Sequence, residues 1–256
     1  MSKRKKYILI AAYIIVLLTN TVFIIFTHGR HLNTEILIEA IRVENVAVVE
    51  YLLEKGVDPN RTDVKPSILY KLVEHTPKRP LKYACDTGNL EIVKMLIEYG
   101  ATAEYNRDLG HSPLRQTLFY YHPDDVEMVK LLLENGAEKE EPTNGKLVFI
   151  AAQMRPRVYD KTKQNGTVFS SGYDEETARG ITEIVCILLD GQSVNITTNS
   201  GETLLMVSAK AGNVYLTEYL LSNGADANMT TDYGKTALDF AKEAGNEEII
   251  SMLEQE

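Results

Sequence analysis

One phrase recurs along this chain and limits what it can fold into. Leu52-Leu53-Glu54-Lys55-Gly56-Val57-Asp58-Pro59-Asn60 returns as Leu96-Ile97-Glu98-Tyr99-Gly100-Ala101 and as Leu132-Leu133-Glu134-Asn135-Gly136-Ala137. It comes again as Leu220-Leu221-Ser222-Asn223-Gly224-Ala225-Asp226-Ala227-Asn228, with a shortened copy in Ile187-Leu188-Leu189-Asp190-Gly191-Gln192-Ser193-Val194-Asn195. The glycines of the successive copies are Gly56, Gly100, Gly136, Gly191 and Gly224, an uneven series that points to insertions in some copies. Such self-similarity belongs to a stack of small units, not to one closed core. Ahead of the glycine runs an apolar stripe at helical spacing, as in Ile92, Val93, Leu96 and Ile97. A glycine just past such a stripe sits where a helix end needs positive φ.

A second phrase precedes the first. Gly201-Glu202-Thr203-Leu204-Leu205, followed by Ala209 and Gly212-Asn213, repeats one unit later as Gly234-Lys235-Thr236-Ala237-Leu238 with Ala241 and Gly245-Asn246. Weaker copies are Gly110-His111-Ser112-Pro113-Leu114 and Arg79-Pro80-Leu81 with Ala84 and Gly88-Asn89. Taken together, the two phrases resemble the ankyrin repeat family, whose unit of about 33 residues is a β-turn and two helices. The resemblance implies an all-α repeat solenoid of helix–turn–helix units with β-turn fingers, in which neighbouring units bury stripes that no unit could bury alone. Six repeats are expected, over about 33–60, 61–104, 105–139, 140–195, 196–228 and 229–256. The first lacks the leading turn. The second is lengthened around Pro66–Pro77, the third at Tyr120–Pro123, and the fourth by the long insertion 155–177. The last unit turns a polar end outward through Glu247, Glu248, Glu254, Gln255 and Glu256.

The segment ahead of the first repeat is different in kind. A basic stub, residues 1–6 with Lys3, Arg4, Lys5 and Lys6, precedes an uncharged stretch from Tyr7 to Phe26. Ile, Leu, Val and Phe fill most of that stretch. At about 1.5 Å per residue it matches the roughly 30 Å hydrocarbon core of a bilayer. Residues 7–27 are therefore expected to be one transmembrane helix, a single-pass signal anchor, with a short linker at 28–32. A cleaved signal peptide is the alternative, but the apolar run is long for one and Thr27-His28-Gly29 is a poor cleavage site. The basic stub keeps the N-terminus cytoplasmic and sends the repeat domain outside the cytoplasm; cleavage would instead leave it secreted.

Charge then narrows the partner. The chain has 27 Lys plus Arg against 36 Asp plus Glu, a net charge of −9, and every acid lies beyond residue 30. A body this acidic repels phosphate backbones, so no nucleic acid is expected as a ligand. Neither the spacing of the 5 histidines and 2 cysteines nor any glycine-rich loop suggests a metal, another cofactor or a catalytic site. Cys85 and Cys186 fall in different repeats and read as small buried hydrophobes that do not pair. Isolated His75, His111 and His122 read as surface residues. Of the three Asn-x-Thr sequons, those at Asn195 and Asn228 coincide with the repeat's own asparagine, and only Asn165 lies in an insertion.

What remains is a binding surface. The resemblance implies a protein partner held on the turn tips and along the concave face of the first helices. The tips contribute Arg107, Asp108, Asn144, Asn199, Asp232 and Tyr233, and the groove contributes Lys210 and Glu243. Tyr120 and Tyr121, in the extra loop of the third repeat, are expected to be aromatic anchors. The primary reading is a monomeric, membrane-tethered, non-enzymatic interaction module. One alternative is an inhibitor or immunity-type protein that caps an enzyme or toxin. A remote one is an enzyme site in the insertion around Asp160, Asp174 and Glu175.

Overall fold

The computed structural model describes residues 34–62, 79–106, 112–141, 145–155, 157–159, 167–169 and 174–255. The anchor at 7–27, the linker at 28–32 and the extra segment at 66–77 lie outside them. No helix among the described residues is long and apolar enough to cross a membrane.

Six helix pairs follow one another, one pair per expected repeat. They are α1 (Thr34–Arg42) with α2 (Val46–Glu54), α3 (Pro80–Thr87) with α4 (Leu90–Glu98), and α5 (Pro113–Thr117) with α6 (Asp125–Glu134). Beyond these come α7 (Val148–Ala151) with α8 (Glu175–Leu189), α9 (Leu204–Ala211) with α10 (Val214–Ser222), and α11 (Ala237–Ala244) with α12 (Glu247–Leu253). Each second helix packs on the second helix of the next pair. The core between the layers is the apolar stripe already visible in the sequence, with Leu52, Leu81, Ile92, Leu96, Leu114, Met128 and Leu132 inaccessible to solvent. Truncating one of these leucines to alanine costs about 2–5 kcal/mol, because stacked neighbours cannot collapse into the space.

The small residues of the phrases do the punctuation. Asn45, Asn89, Asn213 and Asn246 each accept a hydrogen bond from the backbone N–H three positions on, at 3.0–3.2 Å, and so cap the second helix of their pair. Thr203 and Thr236 cap the first helices of the last two pairs in the same way. The closing glycines Gly56, Gly100, Gly136, Gly191 and Gly224 all have φ between 75° and 91°.

The asparagine that ends a repeat ties it to the next. Asn60 donates from Nδ2 to the carbonyl of Gly100 at 2.7 Å and accepts from the N–H of Thr102 at 2.9 Å. Asn195 bonds Gly224 and Asp226 in the same pattern, at 2.9 Å each. The asparagine of this sequon is thus a staple between repeats.

Two departures interrupt the regular stack. In the third repeat, α5 ends at Thr117 and the extra loop carries the chain to α6. In the fourth, the insertion holds strands β3 (Arg157–Tyr159) and β4 (Thr167–Phe169), paired antiparallel with Val158 opposite Val168. A second short pair, β1 (Glu140–Glu141) with β2 (Gly145–Lys146), forms the fourth-repeat finger. Helix α8 then begins inside the expected insertion, capped by Asp174, which accepts from the N–H of Thr177 at 2.7 Å.

Candidate partner-binding surface

The fingers of the fifth and sixth repeats are tight turns built from the same few bonds. In one, the N–H of Thr198 donates to the carbonyl of Glu202 at 2.9 Å, and Gly201 closes the turn onto Thr198 at 3.1 Å. In the other, Thr231 donates to Lys235 and Gly234 to Thr231, both at 2.9 Å. The Thr231 hydroxyl also accepts from the backbone N–H groups of Tyr233 and Lys235. The two fingers are joined, since the N–H of Asp232 donates to the carbonyl of Ser200 at 3.1 Å. A β-carbon on Gly201 would stand 3.2 Å from the Thr231 Cα, so the fingers approach closely only because that residue is glycine.

These joined tips hold Asn199, Asp232 and Tyr233 in solvent, with Tyr233 87% exposed. Behind them lies a groove of about 440 Å³ lined by Ser200, Glu202, Thr231, Tyr233, Lys235 and Phe240. The Phe240 ring is 8% exposed and carries two ammonium groups, Lys210 Nζ at 5.7 Å from its centroid and Lys235 Nζ at 5.4 Å. Lys235 also pairs with Glu243 at 2.7 Å. Exposed pairs of this kind contribute at most about 1 kcal/mol each, so their effect is to orient the lysines rather than to stabilise the domain. At the base of the sixth finger, Asp239 accepts from the N–H and the hydroxyl of Thr236 at 2.8 Å each, which holds its carboxyl below the usual carboxylate range.

Half of the positions expected at the interface, Asn199, Lys210, Asp232, Tyr233 and Glu243, thus belong to these two fingers and the helices behind them. Arg107, Asp108 and Asn144 lie outside the described residues, as do His75, His111, Asn165 and Asp160. Glu202, Lys235 and Phe240 were missed. Glu202 and Lys235 are the variable residue of Gly-x-Thr, and Phe240 occupies the place held one repeat earlier by the buried Val207. A charge pair at the one and an aromatic at the other were the available signals.

One of the two third-repeat tyrosines is a correction. Tyr121 is only 7% exposed and packs into the stack against Gly180 of α8, so it is a core residue and not an interface anchor. Burial pushes its hydroxyl pKa up, with the nearby Asp125 carboxylate adding to the effect. Tyr120 is half-buried. His122, expected on the surface, packs its ring over Gly88 and lies 3.4 Å from the fully buried Asp125 carboxylate. Cys186 is half-buried rather than buried; it and the buried Cys85 are both free thiols. In the insertion, Asp174 is a helix cap and Glu175 pairs with Arg179 at 2.6 Å. Among the described residues no group of three His, Cys, Asp or Glu could hold a metal ion.

Comparison with known proteins agrees with this architecture. The family model described as ankyrin repeats (3 copies) matches residues 65–143 and 177–256, and the single ankyrin repeat model matches 36–64. An ankyrin repeat protein of Rickettsia bellii (strain RML369-C) is 30% identical across an alignment covering 34% of this chain. The aligned part spans less than half, 44%, of that relative's length. Among solved structures, a chain in the complex of the Bdellovibrio bacteriovorus predatory endopeptidase Bd0816 with immunity protein Bd3460 is similar, with TM-score 0.61 and 26% identity. The likeness covers 88% of this chain and 99% of that one. The human ASB11 ankyrin repeat domain is similar in fold, with TM-score 0.59, 24% identity, and 85% and 81% of the two chains covered. Repeated caps, stapled repeats and family matches over more than half of its length lead to one conclusion: the chain belongs to the ankyrin repeat family, whose members are protein-interaction modules.

Proposed function

We propose that this chain is a non-enzymatic binding module, tethered to a membrane by residues 7–27 and displayed outside the cytoplasm, that holds a protein partner on the fingers and concave helices of its fifth and sixth repeats. The observation that carries the reading is Tyr233. A tyrosine 87% exposed at the tip of a braced finger buries little of itself among the described residues, whereas rigid exposed aromatics are efficient anchors for a partner. Asn199, Asp232, Lys210 and Glu243 surround it with polar groups suited to an interface rim. The acidic body favours a basic partner by raising the rate of encounter.

A second reading is supported by the likeness to a chain of the endopeptidase–immunity protein complex. In it, the partner is an enzyme or toxin and the module caps it. The test of both is co-purification of the intact protein from its own host in mild detergent. One stoichiometric partner lost in Tyr233→Ala supports the binding module, and the partner's activity, free against bound, separates scaffold from inhibitor. Retention of the partner by Tyr233→Ala would sink the finger assignment. Reporter fusions to the two ends report the topology.

A further inference from the structure

Among the described residues, the charges of the finger groove are only partly paired with one another. Lys235 is matched by Glu243 at 2.7 Å. Lys210 has the Phe240 ring as its contact. Glu202 lines the groove half-buried, and among the described residues its carboxylate has no cation within ion-pair distance. A cationic group on a ligand can hydrogen-bond and pair with that carboxylate. The Tyr233 ring lines the same groove, almost wholly in solvent and carrying no cation among the described residues, although the Phe240 ring of that groove carries two. Asp232, exposed on the same finger, adds a second negative charge.

We propose that this groove receives a basic side chain, arginine or lysine, from an extended segment of the protein partner, seated between the Glu202 carboxylate and the Tyr233 ring. This rests on the protein-binding reading above and adds to it the chemistry of the occupant. Carboxylate and aromatic face are the two groups that a guanidinium uses at once, by hydrogen bonding and by stacking. A groove of about 440 Å³ has room for a long side chain and its flanking backbone. The bond from Asp232 to Ser200 braces the two fingers before the ligand arrives, so little ordering accompanies binding. An acidic occupant would lie beside Glu202 and Asp232; Lys235 already has the Glu243 carboxylate, and Lys210, over the Phe240 ring, is the cation left to it. The field of the whole chain acts in the same direction, since net charge −9 attracts basic segments and repels acidic ones.

The test uses the full chain in detergent micelles and a random heptapeptide phage library as the probe. Enriched peptides are resynthesised with a fluorophore and their binding is followed by anisotropy. They are expected to share an arginine or lysine, to bind at least tenfold more weakly to Glu202→Gln and to Tyr233→Ala, and to weaken as salt rises. Melting temperatures matching the parent show that the variants are folded. Acidic peptides, or peptides lost in Lys210→Gln and unaffected by Glu202→Gln, overturn the proposal. So does a library with nothing enriched, and in that case co-purification still decides separately whether the chain is a binding module at all.

Discussion

The phenol of Tyr121 occupies the space where Gly180 has no side chain. A β-carbon at residue 180 would collide with the Tyr121 hydroxyl and ring, and the tyrosine is buried there between the third and fourth repeats. The two residues are linked through the repeat register. At a fixed distance ahead of a closing glycine stands the helix cap Asn45, Asn89 or Asn213; in the fourth repeat that place is Gly180. Here α8 runs straight through it from Glu175, so no cap is required. In a bare helix, Gly180→Ala would gain up to about 1 kcal/mol from propensity. The expected outcome is the opposite, a loss of about 2 kcal/mol or more, because the ring is close-packed and cannot retreat without opening the core. A double-mutant cycle decides it: in the Tyr121→Ala background, Gly180→Ala becomes neutral or stabilising, with a coupling of about 1–3 kcal/mol. Additive effects in urea titrations would refute the contact.

Asn195 gives a second test. Its side chain donates to the Gly224 carbonyl and accepts from the Asp226 N–H, both across a repeat boundary. Asn195→Ala removes two exposed hydrogen bonds and is expected to lower stability by about 1–2 kcal/mol. Asn195→Asp keeps the acceptor but sets a carboxylate oxygen against the carbonyl, so it is expected to be at least as damaging. In a glycosylating host this sequon is expected to stay empty in the folded protein, which a mobility shift with and without glycosidase reports.

The repeat, its register and its helix pairs were legible because each rests on local chemistry. Stripes such as Ile92, Val93 and Leu96, the caps Asn89 and Asn213, and the closing glycines state their roles within a few positions. Tyr121 was misread because its burial depends on Gly180, far along the chain in another repeat, and nothing beside the tyrosine signals that partner. Phe240 and Glu202 were passed over for a related reason. Each occupies a position where repeats vary freely, and only the pairing of adjacent fingers brings them to one groove. Tyr233 and Asp232, exposed as the sequence led one to expect, sit at turn tips, which face solvent whatever the packing beneath them.

Gly224 tests the register directly. Its φ is 81°, and among the described residues nothing lies within 4 Å of the place where its β-carbon would be. Gly224→Val therefore meets no neighbour and carries only the strain of holding a β-branched residue in the left-handed region. A loss of about 1 kcal/mol or more is expected, read as a lower urea midpoint with unchanged slope. An unchanged midpoint would mean that the turn relaxes to another conformation.

The two thiols should separate chemically. Cys85 is 1% exposed, and burial pushes its pKa up to about 12; thiolate is the reactive form, so at pH 8 it is scarce as well as shielded. Cys186 is half-buried. Ellman's reagent is expected to label Cys186 first and Cys85 only after urea is added. In Cys186→Ser the folded protein should stay unlabelled. Fast labelling of that variant would show that the second and third repeats open readily.

Asp125 fixes a dependence on pH. It holds the register place of the asparagine caps but is wholly buried, accepting from the His122 N–H at 2.7 Å while its Oδ1 has no hydrogen-bond partner among the described residues. Desolvation raises its pKa above the usual carboxylate value, against the opposing hydrogen bond and charge of His122. A raised value in the folded state means that folding prefers the protonated form. That preference stabilises the protein below the unfolded value of about 4 and is lost as pH rises through the folded value. At neutral pH the domain thus carries a buried charge that Asp125→Asn would remove, while the amide oxygen still accepts from His122. The variant is expected to be more stable than the parent at pH 7 by about 1 kcal/mol, roughly 2–4 °C in a chain of this size. The difference should shrink as pH falls through the raised value and the parent carboxyl takes up its proton. Thermal melts of both proteins from pH 4 to pH 7.5 measure it. A variant less stable than the parent at pH 7 would mean that pairing with His122 outweighs the desolvation of the carboxylate, and would reverse the sign of the slope.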